Sequence, residues 1–476
     1  MPTRRQCGIV LSLLALTLLV ITLSACTGGG PAPSRSTPEP PAGVAYDVTE
    51  LGADPEPGTG DDAPAIREAL AAAEAGDEVV LPAGVYDLHS AHPDDEDANL
   101  LLADGVRLRG AGDDATVLRT SFDGEDDSAV VRGLGVEDST VSDLAITSGH
   151  AGGLGSDPEE EGPGGGPAYG VQIGEDDGEG SRGALVEDVS VERFQRHGIT
   201  VKASREVTVT GCRVADATSV GPGGSGYGIA VEGPADQRDP EADDDSRDNV
   251  VVGNHLDGTH LRHGILLQFA THDNLVADNT ITGGVLDAID LHGEGEYDNE
   301  IRGNTITEVG AAAIALGNPG GTKHEHDASG EGNWVHDNRL VGNEQGVVVV
   351  LGTPETLVED NEIVGERGSV AGVELRHAPG TVVRDNTITG DGVGDGFWAV
   401  VLAEDGGTDG RGAGIPTDVV VTGNRITGDG NGIDVHAGRG LDVAGNTIDV
   451  EGTPWRVAAG SEVEEGGQLS GSGRPG

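Results

Sequence analysis

The phrase Gly303-Asn304-Thr305-Ile306 returns as Gly423-Asn424-Arg425-Ile426, and this recurrence decides the fold. Its asparagine belongs to a series: Asn254, Asn279, Asn304, Asn338, Asn361, Asn386, Asn424 and Asn446. Most intervals are 22 to 25 residues, and two longer ones, 34 and 38, leave room for loops. Self-similarity at this period is the mark of a solenoid, in which each turn buries its apolar face only by stacking on its neighbours. Cys212 takes the same place in Gly211-Cys212-Arg213-Val214. A thiol buried in that ladder is therefore expected, and not a nucleophile.

A second phrase follows each first one: a small residue, then aliphatic, variable, aliphatic, variable. Its first aliphatic runs from Val171, Ile199 and Ile229 through Ile265, Ile289 and Ile314 to Ile433, and its second from Ile173 to Val435, in ten turns without exception. Alternation on a strand puts these aliphatics on one face and the variable residues on the other. The expectation is an all-β, single-stranded right-handed parallel β-helix over residues 45–455, with an exposed outward stripe along the stack. Glycine supplies 81 of 476 residues and aromatics only 3%, which suits many short strands joined by tight turns.

The ends read differently. Arg4 and Arg5 precede the apolar run Gly8 to Ile21 and then Leu23-Ser24-Ala25-Cys26, a processing pattern. The tetrapeptide resembles the bacterial lipoprotein signal box, which implies cleavage before Cys26, lipid on its sulfur, and an extracytoplasmic chain anchored to the bacterial cell membrane. Residues 27–44 form a Gly/Pro/Ser linker, and 456–476 read as a flexible tail. With Cys26 acylated, Cys212 has no internal partner for a disulfide.

Between them, Tyr46-Asp47-Val48 leads to Asp61-Asp62-Ala63-Pro64-Ala65-Ile66 and then to Leu81-Pro82-Ala83-Gly84-Val85-Tyr86. The aspartates favour the positive end of a helix, and Ile66, Ala69, Leu70 and Ala73 give it one apolar face. This order of strand, capping helix and strand resembles the N-terminal segment of the pectate-lyase-like superfamily, including its rhamnogalacturonase-like and epimerase-like members. The resemblance implies the β-helix with an N-terminal capping helix.

The formal charge is −55. That excludes nucleic acid as a partner, because no basic groove displaces phosphate counterions. The acid sits in runs such as residues 94–97, 123–127, 159–161 and 243–245. They read as a solvated surface or, where six to eight oxygens converge, as calcium ligands.

Chemistry concentrates where the outward stripe reads Asp287-Ala288-Ile289-Asp290-Leu291-His292-Gly293-Glu294. Asp290 and His292 share one face of one strand, and an acid beside an imidazole orients it and raises its proton affinity. His197, Tyr227, His263 and Asp287 form a column just before the strands, which places His263 about 4.8 Å, one coil spacing, from Asp287. Lys202 and Arg376 each lie three coils from His292, and Glu232, Gln268, Glu294 and Glu374 complete the stripe as candidate substrate contacts. Asp434 and His436 repeat the Asp-x-His pattern with fewer titratable neighbours. His324 and His326 lack a third spaced metal ligand and read as loop residues.

Asp287 to Glu294 resembles the Tyr-Gly-Phe-Asp-Pro-His-Glu segment of mannuronan C5-epimerases and related alginate lyases, which implies catalytic roles for Asp290 and His292. Arg262-His263-Gly264 is similar to their Arg-His-Gly phrase. Asp287 stands where that family has tyrosine, and Tyr227 is a substitute phenol two coils away. Three functions follow for a polysaccharide partner. The first is lyase or C5-epimerase chemistry on a uronic-acid glycan, with Asp290, His292, Asp287, His263 and Tyr227 as catalytic candidates. The second is glycoside hydrolysis by paired carboxylates such as Asp287, Asp290, Glu232 or Glu294. The third is a non-catalytic glycan-binding surface protein.

Overall fold

The computed structural model describes residues 43–463 apart from 59, 125–126, 161, 163, 176–179, 222–223, 235–244, 294, 318–328 and 408–411. Cys26 and the rest of the N-terminal segment read above as a signal pattern, Glu294, and the stretch holding His324 and His326 lie outside the described residues.

The strands form parallel ladders in sheets of 24, 13 and 3 strands. In the 13-stranded sheet the order in space is the order in sequence, from Ala98–Leu101 to Trp455–Val457. The larger sheet takes two short strands from most turns, such as Val250–Val252 and His255–Asp257. Each turn therefore contributes to both sheets and the chain winds as a parallel β-helix.

The repeat fixes the register. Val171 pairs with Ile199, Ile199 with Ile229, Ile229 with Ile265, Ile265 with Ile289 and Ile289 with Ile314. The column continues through Val347, Val373, Val400 and Ile433, and all these side chains are buried. Each stabilises the stack by roughly 1.5–3 kcal/mol relative to exposure. Two turns precede the ten read from the sequence, and the strand Trp455–Val457 follows them, pairing with Ile433 to Val435. Ordered backbone thus runs past position 455.

Asparagines supply the corner. Each ladder amide donates from Nδ2 to the Oδ1 of the next: Asn254 to Asn279, Asn279 to Asn304 and Asn304 to Asn338, at 2.9–3.0 Å. The residue before each takes a left-handed turn and is Gly or Asp, as at Gly253, Asp278, Gly303 and Asp337. Glycine does so without strain, and aspartate is among the few other residues that tolerate it. Cys212 holds its place in this column, buried and donating its backbone N–H to Asn254 Oδ1. A second ladder, Asn249, Asn274, Asn299 and Asn333, lies five residues upstream.

The capping helix spans Ala63–Ala72 and buries Ala63, Ile66, Ala69 and Leu70. Asp62, at its N-cap, does not cap it by a side-chain bond. Its carboxylate instead accepts from the backbone N–H groups of Asp54 and Asp87, stitching the helix entrance to the following turn.

Most of the outward stripe is buried, contrary to the expectation from alternation, although His436 near its end is exposed. Thr200, Ala230, Leu266, Asp290 and Ala315 are all buried, as are Glu232, Gln268 and His292. Small apolar clusters occupy the stripe on both sides of the acidic turn: Tyr227, Ala230 and Leu266 before it, and Ala312, Ala315, Val348, Val350 and Leu351 after it. Alternation assigns a residue to one side of a strand; it carries no information on what folds over that side.

Candidate active site

Four consecutive turns of the 13-stranded sheet build the site: His197–Lys202, Tyr227–Glu232, His263–Gln268 and Ile289–His292. The first residues of the first three stack, and the stack continues back to Tyr169 on the preceding turn. Ring centroids run from Tyr169 to His197 at 5.3 Å, His197 to Tyr227 at 5.0 Å and Tyr227 to His263 at 5.4 Å. The column expected from sequence is therefore a continuous ring ladder, one turn longer than foreseen, and it ends on the acidic turn.

There, His292 Nδ1 lies 2.8 Å from Asp290 Oδ2, and its Nε2 lies 2.9 Å from Gln268 Nε2. With the Gln268 amide donating, His292 is the neutral tautomer that donates from Nδ1 to Asp290 and accepts at Nε2. His263 approaches the same carboxylate, Nε2 to Asp290 Oδ2 at 3.4 Å, and its Nδ1 is 3.9 Å from Asp287 Oδ2. Asp287 is anchored from the next turn by the backbone N–H of Ala312, 2.9 Å from Oδ1. The register Gln268 with His292 and Leu266 with Asp290 makes these contacts a consequence of strand pairing.

Burial sets the electrostatics. It lowers His263 to about 4 despite the nearby Asp290, so His263 is neutral near pH 7. Burial, and then the charge of Asp290, pushes the Asp287 carboxyl up to about 7. For Asp290 burial alone would raise the carboxyl, but its interactions with the His292 and His263 imidazoles, including the His292 hydrogen bond, hold it below the usual range. Burial raises the Tyr227 phenol too, which keeps it protonated. One site thus holds an ionised carboxylate, a carboxyl poised near neutrality, two imidazoles and a phenol, the spread of proton affinities that acid/base chemistry uses.

The expected substrate contacts divide. Lys202, Glu232, Gln268 and His292 follow one another in register across four turns. Lys202 is 3.8 Å from Glu232, which also lies 3.5 Å from His197 Nδ1. Arg376 pairs with Glu374 on its own strand, and Gln345 donates to the same Glu374. Both cations therefore face carboxylates of this chain. Arg262 of the Arg-His-Gly phrase donates to the carbonyls of Pro158 and Val220, strapping two loops. At the second Asp-x-His copy, Asp434 is clamped by Arg456, which lies over the Trp398 ring at 4.8 Å, while His436 is exposed.

Glu296 escaped the sequence reading. Both its carboxyl oxygens are buried without a hydrogen-bond partner. Burial, with the charge of Asp290 adding to it, raises it well above the usual carboxylate range. It opens the short strand Glu296–Tyr297, in register with the buried Thr271 and Ser246 of the two preceding turns, so the 25-residue spacing of these three positions was the signal that could have found it.

Comparison with known proteins agrees on fold. The family described as a right handed beta helix region matches residues 169–363. No curated protein matches the sequence. Among solved structures, the mannuronan C-5 epimerase AlgE6 A-module of Azotobacter vinelandii aligns at TM-score 0.53 and 18% identity, over 88% of this chain and 98% of that one. PfbA, a surface adhesin of Streptococcus pneumoniae, aligns at 0.60 and 17%, over 82% and 92%. An alginate lyase, AlyF-OU02, aligns at 0.57 and 14%, over 90% and 88%. The chain is a right-handed parallel β-helix, and at these identities the likeness is one of fold.

Proposed function

We propose that this chain is an exported carbohydrate-active protein that removes the C5 proton of a uronic-acid-containing polysaccharide, as a lyase or C5-epimerase. The observation that carries this reading is the Asp290–His292 pair, set in a ladder of rings that ends on Tyr227 and His263. Proton abstraction beside a carboxylate needs a base, an acid and stabilisation of the charge that develops. His292, held by Asp290 through Nδ1, presents a basic Nε2 whose bond to Gln268 a substrate would replace. Tyr227, kept protonated by its burial, is the donor. Folds of this kind in an epimerase module and an alginate lyase are compatible with such chemistry.

Hydrolysis is less well supported. Asp287 and Asp290 bring ligand atoms within 4.8 Å of one another around one histidine, closer than the carboxyl pairs that flank a scissile bond and a water in inverting enzymes. Glu232 is engaged with Lys202 and His197. The burial of His292 and Asp290 favours a second reading, a non-catalytic glycan-binding surface protein. We further propose export and a lipid anchor at Cys26, on the signal pattern alone.

The test is paired substitution on a substrate found by screening polyuronates. His292→Ala is expected to abolish turnover and His436→Ala to leave it unchanged. Equal activity of wild type and His292→Ala removes His292 from the chemistry.

A further inference from the structure

His263 is almost fully buried, at 1% exposure, yet neither of its ring nitrogens has a hydrogen-bond partner. Asp290, at 0% exposure, leaves Oδ1 unpartnered beside it. Buried polar groups are nearly always satisfied, and an exception calls for an explanation such as an ion. One ligand atom each from His263, Asp287 and Asp290 lies within 4.8 Å of the others, and this is the one such group among the described residues.

We propose that His263, Asp287 and Asp290 bind a single divalent transition-metal ion of the zinc class. One imidazole and two carboxylates make three protein ligands with further positions open, a donor set that suits zinc. Calcium takes six to eight oxygens and has no use for a buried imidazole. Outer contacts orient both carboxylates. His292 Nδ1 orients Asp290 through Oδ2 at 2.8 Å, and the Ala312 N–H orients Asp287 through Oδ1 at 2.9 Å. Asp290 Oδ1 and Asp287 Oδ2 are thereby left for the ion. Access is over Asp287, whose side chain keeps 13% exposure while those of its two companions keep 1% or less. The ion would set positive charge against two adjacent carboxylates, in a site where Lys202 and Arg376 face carboxylates elsewhere. The inference is independent of the proposed reaction, because binding is read without any glycan.

The test is calorimetric titration of the chelator-stripped full chain with Zn²⁺ and, separately, Ca²⁺, at physiological salt. The 83 acidic residues give a weak background common to every variant. Wild type is expected to bind one Zn²⁺ per chain in preference to Ca²⁺. His263→Gln and Asp287→Asn, each confirmed folded by circular dichroism, are expected to lose that stoichiometric event and keep the background. Asn at 287 retains an oxygen for the Ala312 N–H, so its loss of binding is not a loss of fold. Co²⁺ in wild type should give the visible absorption of a low-coordinate nitrogen-oxygen site, absent from His263→Gln. Background binding alone, binding unaltered in both variants, or a preference for Ca²⁺ overturns the proposal.

Discussion

Replacing Asn304 by alanine tests the corner that holds the solenoid together. Asn304 is fully buried and makes four side-chain bonds. Its Nδ2 donates to Val276 O at 3.0 Å and Asn338 Oδ1 at 2.9 Å, and its Oδ1 accepts from the backbone N–H and the Nδ2 of Asn279, both at 3.0 Å. After truncation Asn279 Nδ2 still has Val251 O, and Asn338 Oδ1 still has the Asn304 backbone N–H. The Asn279 N–H loses its acceptor and Val276 O loses a donor, both in the interior. Val276 O keeps its strand-ladder bond, so one buried group is left unpaired, at a cost of about 1–3 kcal/mol. Solenoid turns unfold semi-independently, so urea unfolding should be paired with amide exchange. Protection of the Asn279 amide is expected to fall while that of Asn424, several turns away, holds. A loss below about 1 kcal/mol with unchanged protection at Asn279 would show that the ladder is not a main source of stability.

Burial pushes the Cys212 thiol up to about 12, so it should resist alkylation in the native chain at pH 8 and label fully in denaturant; native labelling at the rate of a free thiol refutes its place in the ladder. Glu296 has a raised folded-state affinity for its proton. Its contribution is therefore complete below the unfolded pKa near 4.5 and is lost as pH rises through the folded value. Stability of Glu296→Gln relative to wild type should increase with pH above that point, measured by denaturant midpoints across a pH series, and a flat difference contradicts the assignment.

The inner face of the fold was legible because one constraint repeats. Every turn needs two aliphatics spaced by one residue, so Ile265, Ile289 and Ile314 declare the register that their pairing realises. The second asparagine ladder was equally open to reading, since Asn249, Asn274 and Asn299 precede Asn254, Asn279 and Asn304 by a constant five residues. The site was legible in membership more than in state. Position alone brought Asp290, His292, His263 and Asp287 together, because stacking turns residues of matching phase into neighbours. Their burial was not, since it depends on loops whose sequences carry no period. Arg262 shows the same limit: its phrase suggested chemistry, while its partners, the carbonyls of Pro158 and Val220, are more than 40 residues away in sequence.

The central claim is that the Asp290–His292 turn removes a proton from C5 of a uronic acid. The direct measurement is proton and carbon NMR of a panel of polyuronates incubated with the chain in D₂O. The account predicts deuterium at C5 or unsaturated chain ends with at least one polymer, and neither with His292→Ala. New reducing ends without either signal, or glycan binding with no chemical change, would contradict it.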